Sequence, residues 1–350
     1  MKSVAIAVFA DDQRIHTQIE RIRRSDQCHL AAIVDPTAQH AELAGEHQCH
    51  WFADVAALIC SDDDKPSCQA LWLCPSPAIT AAEVTQAATM AMLAGIPVLI
   101  DSDAIASLDM ARELGYAATV TRSLHSQASL PGSLCCISQS APFNPLVERL
   151  KRGLCGHASI EGNLAFPTPQ SLFSRINLGL HSADVQPLLH MVAVVRQLAG
   201  PIAEIRTEHM QPLNIHAQSS AASGQLRLAF AAGNDASLTL TSHETDALAS
   251  ESVAINQISV TTQLPNQPAT RTSVALSMNL PMSTADSELR YFCQQVSRTD
   301  GENHCPLVND VAEFITNLEI VQAIFRSAIS GKTQQVLPAI HEKPEITGTL

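Results

Sequence analysis

The chain has 350 residues and a mass of 37.4 kDa, with 46% hydrophobic, 16% charged and 4% aromatic residues. This length exceeds one ordinary hydrophobic core, and the composition excludes a disordered chain and favours a globular protein of two domains. A formal net charge of −13 disfavours a nucleic-acid partner, because phosphate binding depends on a basic surface.

The apolar runs are too short to cross a membrane. No window approaches about 18 uninterrupted apolar residues, and Met1-Lys2-Ser3 leads directly into a strand-like segment rather than a signal peptide. The sequence therefore predicts a soluble, cytoplasmic protein without a membrane partner.

The first half alternates short apolar runs with amphipathic helical stretches, which is typical of a parallel sheet covered by helices. Asp54 is expected to cap a helix, and Gly115 is expected to end one. The predicted strands are 4–9, 30–34, 51–52, 71–74, 97–100 and 117–120, and the predicted helices are 14–24, 41–44, 54–59, 81–94 and 108–114.

The second half carries longer alternating segments, which indicate an antiparallel sheet. The predicted strands are 225–231, 237–242, 252–262 and 272–280, and the predicted helices are 187–198 and 310–329, the latter ending at Gly331. We expect one domain over 1–122, a second over 123–340 and a tail over 341–350.

Ten cysteines raise the question of a disulfide framework or a metal site. No CxxC pair occurs, and the doublets Cys28-His29 and His304-Cys305 lack a recognised ligand spacing. The sequence therefore predicts no metal site and ordinary thiols. The adjacent pair Cys135-Cys136 is either redox-sensitive or simply packed in the core.

Six strings occur in an order that resembles one known family. They are Arg14-Ile15-His16, Ile33-Val34-Asp35-Pro36, 94–101, Phe143-Asn144-Pro145, 190–200 and 317–332. Together they are similar to the glucose-fructose oxidoreductase, inositol dehydrogenase and rhizopine-catabolism family (Gfo/Idh/MocA), and the resemblance covers nearly the whole chain.

The resemblance implies an α/β fold in which an N-terminal Rossmann domain with a doubly wound parallel sheet precedes an α+β domain. The second domain is expected to have a large, mostly antiparallel open sheet, through which copies of the chain form a homo-oligomer. The resemblance also implies NAD- or NADP-dependent oxidation or reduction of sugars and cyclitols.

The phosphate-binding loop departs from the family pattern. Val8, Ala10 and Gln13 stand at the three glycine positions that allow the tight turn, the approach to the pyrophosphate and the helix packing. Asp11 and Asp12 add negative charge at the helix N-terminus, where an anionic pyrophosphate would bind. We therefore expect either no cofactor or NAD.

One cofactor residue is retained. Asp35, at the end of the second strand, matches the acidic residue that accepts hydrogen bonds from the ribose of NAD. A turn cap before Pro36 explains the same residue equally well. By family position, Pro75, Thr80 and Asp101 also match residues that contact the cofactor.

The catalytic positions are altered as well. Ser102 and Asp103 replace the family's Lys-Pro pair, so the cationic donor is missing. His190 matches the catalytic histidine, but Gln186 replaces the aspartate one helical turn earlier and cannot act as a base. An alternative alignment places His181 and Asn177 at these two positions, and it supplies no carboxylate either.

Two functions remain open at this point. The favoured one is a non-catalytic or chemically altered descendant that uses the dehydrogenase scaffold as a binding or assembly module, with a small molecule as ligand. The alternative is an active NAD-dependent oxidoreductase acting on a sugar, a cyclitol or a related hydroxy or oxo compound. In that case Asp35 and His190 would act with Thr80, Ser102 or Gln186.

Overall fold

A computed structural model shows that the chain forms two β-sheets with helices packed on them. It describes residues 3–11, 14–60, 68–76, 78–127, 134–139, 141–145, 147–148, 151, 158–167, 182–208, 223–231, 235–243, 257–262, 270–275, 282–297 and 309–336.

The first sheet has six parallel strands in the order β3-β2-β1-β4-β5-β6, which is the doubly wound Rossmann order. Its strands are β1 (Val4–Phe9), β2 (Cys28–Val34), β3 (His50–Phe52), β4 (Ala70–Leu73), β5 (Val98–Asp101) and β6 (Cys135–Ser138). Its helices are α1 (Arg14–Arg24), α2 (Ala41–Glu46), α3 (Val55–Ile59), α4 (Ala81–Leu93) and α5 (Leu108–Gln127). The predicted Rossmann domain is confirmed.

Side-chain caps begin two of these helices. Asp54 accepts a hydrogen bond from the backbone N–H of Ala57 at 2.7 Å, as predicted for α3. Thr80 and Glu83 form a reciprocal capping box at the start of α4. These caps hold both helix N-termini at the carboxyl edge of the sheet.

The prediction of a sixth strand at 117–120 is wrong, because these residues lie within α5. Ala118 is buried at helical spacing from Leu114 and Ala111, so the small apolar residues form a helix stripe. Gly115 does not end the helix: a Cβ there would lie 2.8 Å from Cδ1 of Ile315, so glycine permits close packing against the last helix.

The expected division between residues 122 and 123 falls inside α5. The first sheet continues beyond it to β6, which pairs with β5. The expected tail, 341–350, lies outside the described residues.

The second sheet has seven strands in the order β12-β11-β7-β10-β9-β8-β13, and β7 and β10 form its parallel pair. Its strands are β7 (Ala158–Pro167), β8 (Ile202–Glu208), β9 (Ser223–Phe230), β10 (Asp235–His243), β11 (Gln257–Thr262), β12 (Thr270–Ala275) and β13 (Gln334–Gln335). The helices of the second half of the chain are α6 (Ser182–Ala199), α7 (Met282–Ser297) and α8 (Val311–Ser330). The mostly antiparallel sheet is confirmed, while β7, β8, β13 and α7 had not been predicted.

The last two helices join the two halves of the chain. In α7, Leu289 and Phe292 pack with residues of β1 and β4 in the core of the first sheet. Asp310 caps α8, and Gly331 ends it in the left-handed conformation with φ of 64°. The first sheet is therefore completed by a helix from late in the sequence.

Candidate functional site

The loop after β1 starts from a fully buried strand end. Val8 and Ala10 have no exposed surface, and Val8 belongs to the core beneath α1. The backbone N–H of Ala10 donates to the carbonyl of Val34 at 3.2 Å. Gln13 and Asp12 lie outside the described residues. The two described positions that replace family glycines thus carry side chains enclosed by the core.

Asp11 fastens this loop to the loop after β4. Its carboxylate accepts hydrogen bonds from both the backbone N–H and the Oγ of Ser76, each at 2.5 Å. Arg14 donates to the carbonyl of Pro75 in the same loop. Because β1 lies between β2 and β4, these contacts bridge the crevice where the strand order reverses. Ligands of open α/β sheets bind in this crevice.

Asp35 is fully buried and is bound by its own loop. Its two oxygens accept from the N–H and Oγ1 of Thr37, at 2.8 and 2.7 Å, and from the N–H and Nδ1 of His40, at 2.8 and 2.9 Å. Burial alone would raise the pKa of Asp35, but these hydrogen bonds outweigh it and the pKa is lowered. The four donors match the lone-pair capacity of a carboxylate, which is the geometry of a turn cap.

A small cavity lies beside these two loops. It has a volume of about 240 Å³ and is lined by apolar side chains that include Phe9, Pro36, Ile79 and Met90. The capping residues Asp54 and Glu83 also line it, and their carboxylates already serve the N-termini of α3 and α4. Thr80, expected at a cofactor position, is the N-cap of α4. The cavity suits a compact, mainly apolar group.

Asp101 faces the interior between β4, β5 and α1. Its carboxylate accepts from Nε1 of Trp72 at 2.9 Å and from Nε2 of Gln18 at 3.5 Å. Burial raises the pKa of Asp101, and the Trp72 hydrogen bond and nearby arginines offset only part of that rise. The residue at this cofactor position is therefore engaged in holding α1 against the sheet.

Ser102 begins a short 3-10 turn, Ser102–Ala104, directly after β5, and its side chain is buried. Helix α6, which carries His190, packs against this turn. The structure thus brings together the elements that carry Ser102 and His190. Asp103, in the proline position, is exposed.

His190 is only partly exposed, and desolvation lowers its pKa to about 4. The imidazole is therefore uncharged at neutral pH and is a weak base. Gln186 lies one turn earlier in α6, but its side chain lies outside the described residues, as do His181 and Asn177. Among the described residues, no carboxylate forms a hydrogen bond or ion pair with His190.

A buried polar cluster beside the site had not been predicted. Glu288 of α7 has no exposed surface, and its carboxylate accepts from the N–H of Gln139 at 2.6 Å and from Oγ of Ser138 at 2.9 Å. Burial raises the pKa of Glu288 to about 7, although Arg21 lies 3.9 Å away. The guanidinium of Arg21 also stacks over the Trp72 ring at 4.6 Å.

The sequence contained one signal of this cluster. Arg21 and Gln18 share the buried side of α1 with Ile15, Ile19 and Ile22, an unusual place for a charge. A buried arginine requires an acidic partner, but that partner lies on α7, which the sequence pattern did not reveal.

Two further features concern the part of the chain that the structure describes. There, no three histidine, cysteine or acidic side chains gather in a way that could hold a metal ion. In the same residues, no helix combines the length and apolar character required to span a bilayer.

The sequence matches no protein-family model, and no curated protein matches it. Solved structures, however, are similar over nearly the whole chain. A myo-inositol dehydrogenase from Corynebacterium glutamicum is 15% identical, with a TM-score of 0.66 and coverage of 97% of this chain and 100% of that one. The WlbA dehydrogenase from Bordetella pertussis, in complex with NADH and UDP-GlcNAcA, is 15% identical, with a TM-score of 0.62 and coverage of 96% and 99%.

An oxidoreductase from Agrobacterium radiobacter, in complex with NAD+, L-tartaric acid and magnesium, is 13% identical, with a TM-score of 0.64. That match covers 96% of this chain and 99% of the other. Identity at this level establishes the architecture and leaves the chemistry to the site residues. The chain therefore has the two-domain fold of the Gfo/Idh/MocA-type oxidoreductases.

Proposed function

We propose that this chain is a dehydrogenase-fold protein that has lost ordinary dinucleotide chemistry and serves as a binding or assembly module. The observation that carries the proposal is the contact between Asp11 and Ser76, which closes the crevice at the switch point of the first sheet.

The contact between Asp11 and Ser76 opposes the binding of a dinucleotide in two ways. A pyrophosphate binds backbone N–H groups in the loop after β1, at the N-terminus of α1, and the contact of Asp11 with Ser76 fastens this loop to the loop after β4. The carboxylate of Asp11 also adds negative charge where the phosphates would lie. Both effects weaken binding of NAD and of NADP.

The catalytic positions support the same conclusion. Ser102 cannot supply the positive charge of the family's lysine, and Gln186 cannot accept a proton. His190 has a pKa of about 4 and is a poor general base near neutral pH. Proton removal from a substrate hydroxyl would therefore lack an efficient acceptor.

The ligand and the partner are part of the proposal. The cavity beside Phe9 and Met90 would hold a compact apolar group of a small molecule. Copies of the chain would associate through the open face of the second sheet, where Arg206 and Arg227 are exposed and both pair with Glu208, at 3.4 and 2.9 Å.

The deciding experiment is calorimetric titration of the purified full chain with NAD+, NADH, NADP+ and NADPH, each to about 1 mM. We expect no saturable binding of any of the four. Binding with a micromolar Kd, or turnover of a sugar or cyclitol with a bound cofactor, would overturn the proposal.

A second candidate is an active NAD-dependent oxidoreductase. It is favoured by the packing of α6 on the turn that holds Ser102, and by the NAD+ or NADH found in similar solved structures. This candidate predicts nicotinamide fluorescence in protein purified without added cofactor. The same titration separates the two functions.

A further inference from the structure

The outer sides of α4 and α5 carry an exposed apolar strip. Tyr116, Val120 and Leu124 follow one another along α5, and 74%, 36% and 49% of their surface is exposed. Leu93, the last residue of α4, is 53% exposed. A four-residue spacing places side chains on one side of a helix, so the three α5 residues form a continuous row. These four side chains are called the α4–α5 strip.

Leu93 lies beside the C-terminal end of this row. Nε2 of His125 donates to the carbonyl of Leu93 at 3.2 Å, and His125 directly follows Leu124 in the chain. The inner side chains of α4 and α5 belong to one core on the same face of the first sheet, and the two helices contact each other. Leu93 and Leu124 are therefore neighbours at one end of the strip, and Tyr116 is at the other end.

Charged side chains lie away from the strip. On the side of α5 that faces α8, Arg112 pairs with Glu319 at 2.9 Å and Arg122 pairs with Asp310 at 3.7 Å. Helix α4 has one charged residue, Glu83, which belongs to the capping box at its N-terminus. With 34 acidic and 21 basic residues, copies of the chain repel each other and approach most easily where charge is absent. The core of a protein interface is depleted of charge in the same way.

We propose that the α4–α5 strip is a docking surface for a second copy of this chain, which associates about a two-fold axis at Val120. The strip suits such an axis, because Tyr116 and Leu124 lie about one helical turn to either side of Val120. An antiparallel pair of α5 helices then places Tyr116 of each copy against Leu124 and Leu93 of the other. The same contact is made twice, as in any isologous interface.

The area of this face fits a weak dimer. Helix α5 has 20 residues and α4 has 13, so they are about 30 and 20 Å long and about 10 Å wide. Packed on their copies, the two helices bury about 1,000 Å² in total, which is the lower limit for a specific interface. Glu113 is exposed one turn before Tyr116 and stays at the hydrated rim. We therefore expect a dissociation constant of about 10 µM.

The test is sedimentation equilibrium of the full chain over about 1 to 200 µM, for the wild type and Leu124→Glu. We expect the weight-average mass of the wild type to rise towards twice its starting value. Leu124→Glu places a carboxylate against Tyr116 at two points of the interface, so we expect its dissociation constant to rise by about 100-fold or more. Leu124 is half exposed, so this variant keeps the fold, which circular dichroism checks. Identical mass curves for the two proteins, whether flat or rising, would overturn the proposal.

Arg23→Gln is the matched control. It lowers the net charge by the same one unit, at an exposed position of α1, whose inner side packs on the opposite face of the first sheet. We expect it to follow the wild-type mass curve. A shift as large as that of Leu124→Glu would show that net charge, and not the strip, controls association, and this would also overturn the proposal.

Photo-crosslinking tests the position of the axis in an assembled chain. In Val120→p-benzoylphenylalanine, the reactive group lies at the axis and faces α5 of the other copy. After digestion with trypsin, which cleaves after Arg112 and Arg122, we expect peptide 113–122 joined to a second copy of itself. A cross-link to any other peptide of the second copy, or no product between copies, would overturn the proposal. Because α4 and α5 pack on the first sheet, assembly through the second sheet and cofactor binding are tested separately from this contact.

Discussion

Two buried carboxylates beside the first sheet, Asp35 and Glu288, have no exposed surface yet differ in the direction of their pKa shift. Asp35 accepts four hydrogen bonds from a loop that directly follows it, and its pKa is lowered. Glu288 accepts two and has Arg21 at 3.9 Å, and its pKa is raised to about 7. Hydrogen-bond donors that lie close in sequence thus outweigh the effect of burial on the pKa of Asp35. Donors from distant elements offset only part of that effect at Glu288.

The largest effect is expected at Asp35. Asp35→Ala leaves two buried donors of His40 and two partly buried donors of Thr37 without their acceptor, so we expect a loss of about 3 kcal/mol in the free energy of unfolding. Urea denaturation measures it. Asp109→Ala removes a carboxylate that is 89% exposed and should change stability by less than about 0.5 kcal/mol.

A small loss for Asp35→Ala would show that Asp35 does not hold its loop. Its carboxylate would then be free for another role, such as accepting from a ribose. Asp35→Asn should lie between the wild type and the alanine variant, because an amide keeps one acceptor oxygen.

The second effect is the pH dependence from Glu288. Its pKa is raised from 4.5 to about 7 in the folded chain, so the unfolded chain ionises first as the pH rises. The stability that the protonated group provides is complete below pH 4.5 and is lost as the pH rises towards 7. Relative to Glu288→Gln, the wild type should lose about 3 kcal/mol over this interval.

His190 contributes the opposite slope, because its pKa is lowered from 6.5 to about 4 and stability falls as the pH decreases through that range. Comparing urea midpoints of the wild type and Glu288→Gln at each pH removes this shared contribution. Parallel curves for the two proteins would contradict the raised pKa of Glu288.

The third prediction concerns the coupling energy between Asp11 and Ser76, whose contact spans the crevice of the first sheet. Asp11→Ala removes both hydrogen bonds of this contact, and Ser76→Ala removes the one that the Ser76 hydroxyl donates. In a double-mutant cycle we expect a coupling energy of about 1 to 2 kcal/mol between them. Strictly additive losses would show that the Ser76 hydroxyl does not bind Asp11 in solution, and this part of the support for the proposed function would be withdrawn.

The sequence predicted an element correctly where residues close to one another in the chain determine it, and failed where packing between distant elements determines it. Strand β1 and helix α1 were predicted with their observed ends, because a continuous apolar run specifies the strand and the helical spacing of Ile15, Ile19 and Ile22 specifies the helix. The segment 117–120 was misassigned because Ala-Ala-Thr-Val suits either a strand or a helix, and packing of α5 against α8 decides. Only a local pattern could be read from the sequence alone.

The contacts of the candidate site were likewise predictable only where the partners lie close in the sequence. Val8, Ala10 and Ser102 were assigned to site positions by the family resemblance, and the structure places Val8 in β1, Ala10 directly after β1 and Ser102 directly after β5. The partners of Asp11 and Glu288 were not predictable, because Ser76 and Ser138 approach them only when the sheet and α7 assemble. Asp35 differs: both of its partners lie within the next five residues, and the turn-cap interpretation anticipated that geometry.

The smallest effect separates a structural role from a cofactor role at Thr80. The hydroxyl of Thr80 accepts from the N–H of Glu83 at 3.3 Å and caps α4, so Thr80→Ala should lower the free energy of unfolding by about 1 kcal/mol. Thr80→Ser keeps the hydroxyl and should retain nearly full stability. If both variants were as stable as the wild type, the capping box would not matter for folding, and Thr80 would again be available to a ligand in the adjacent cavity.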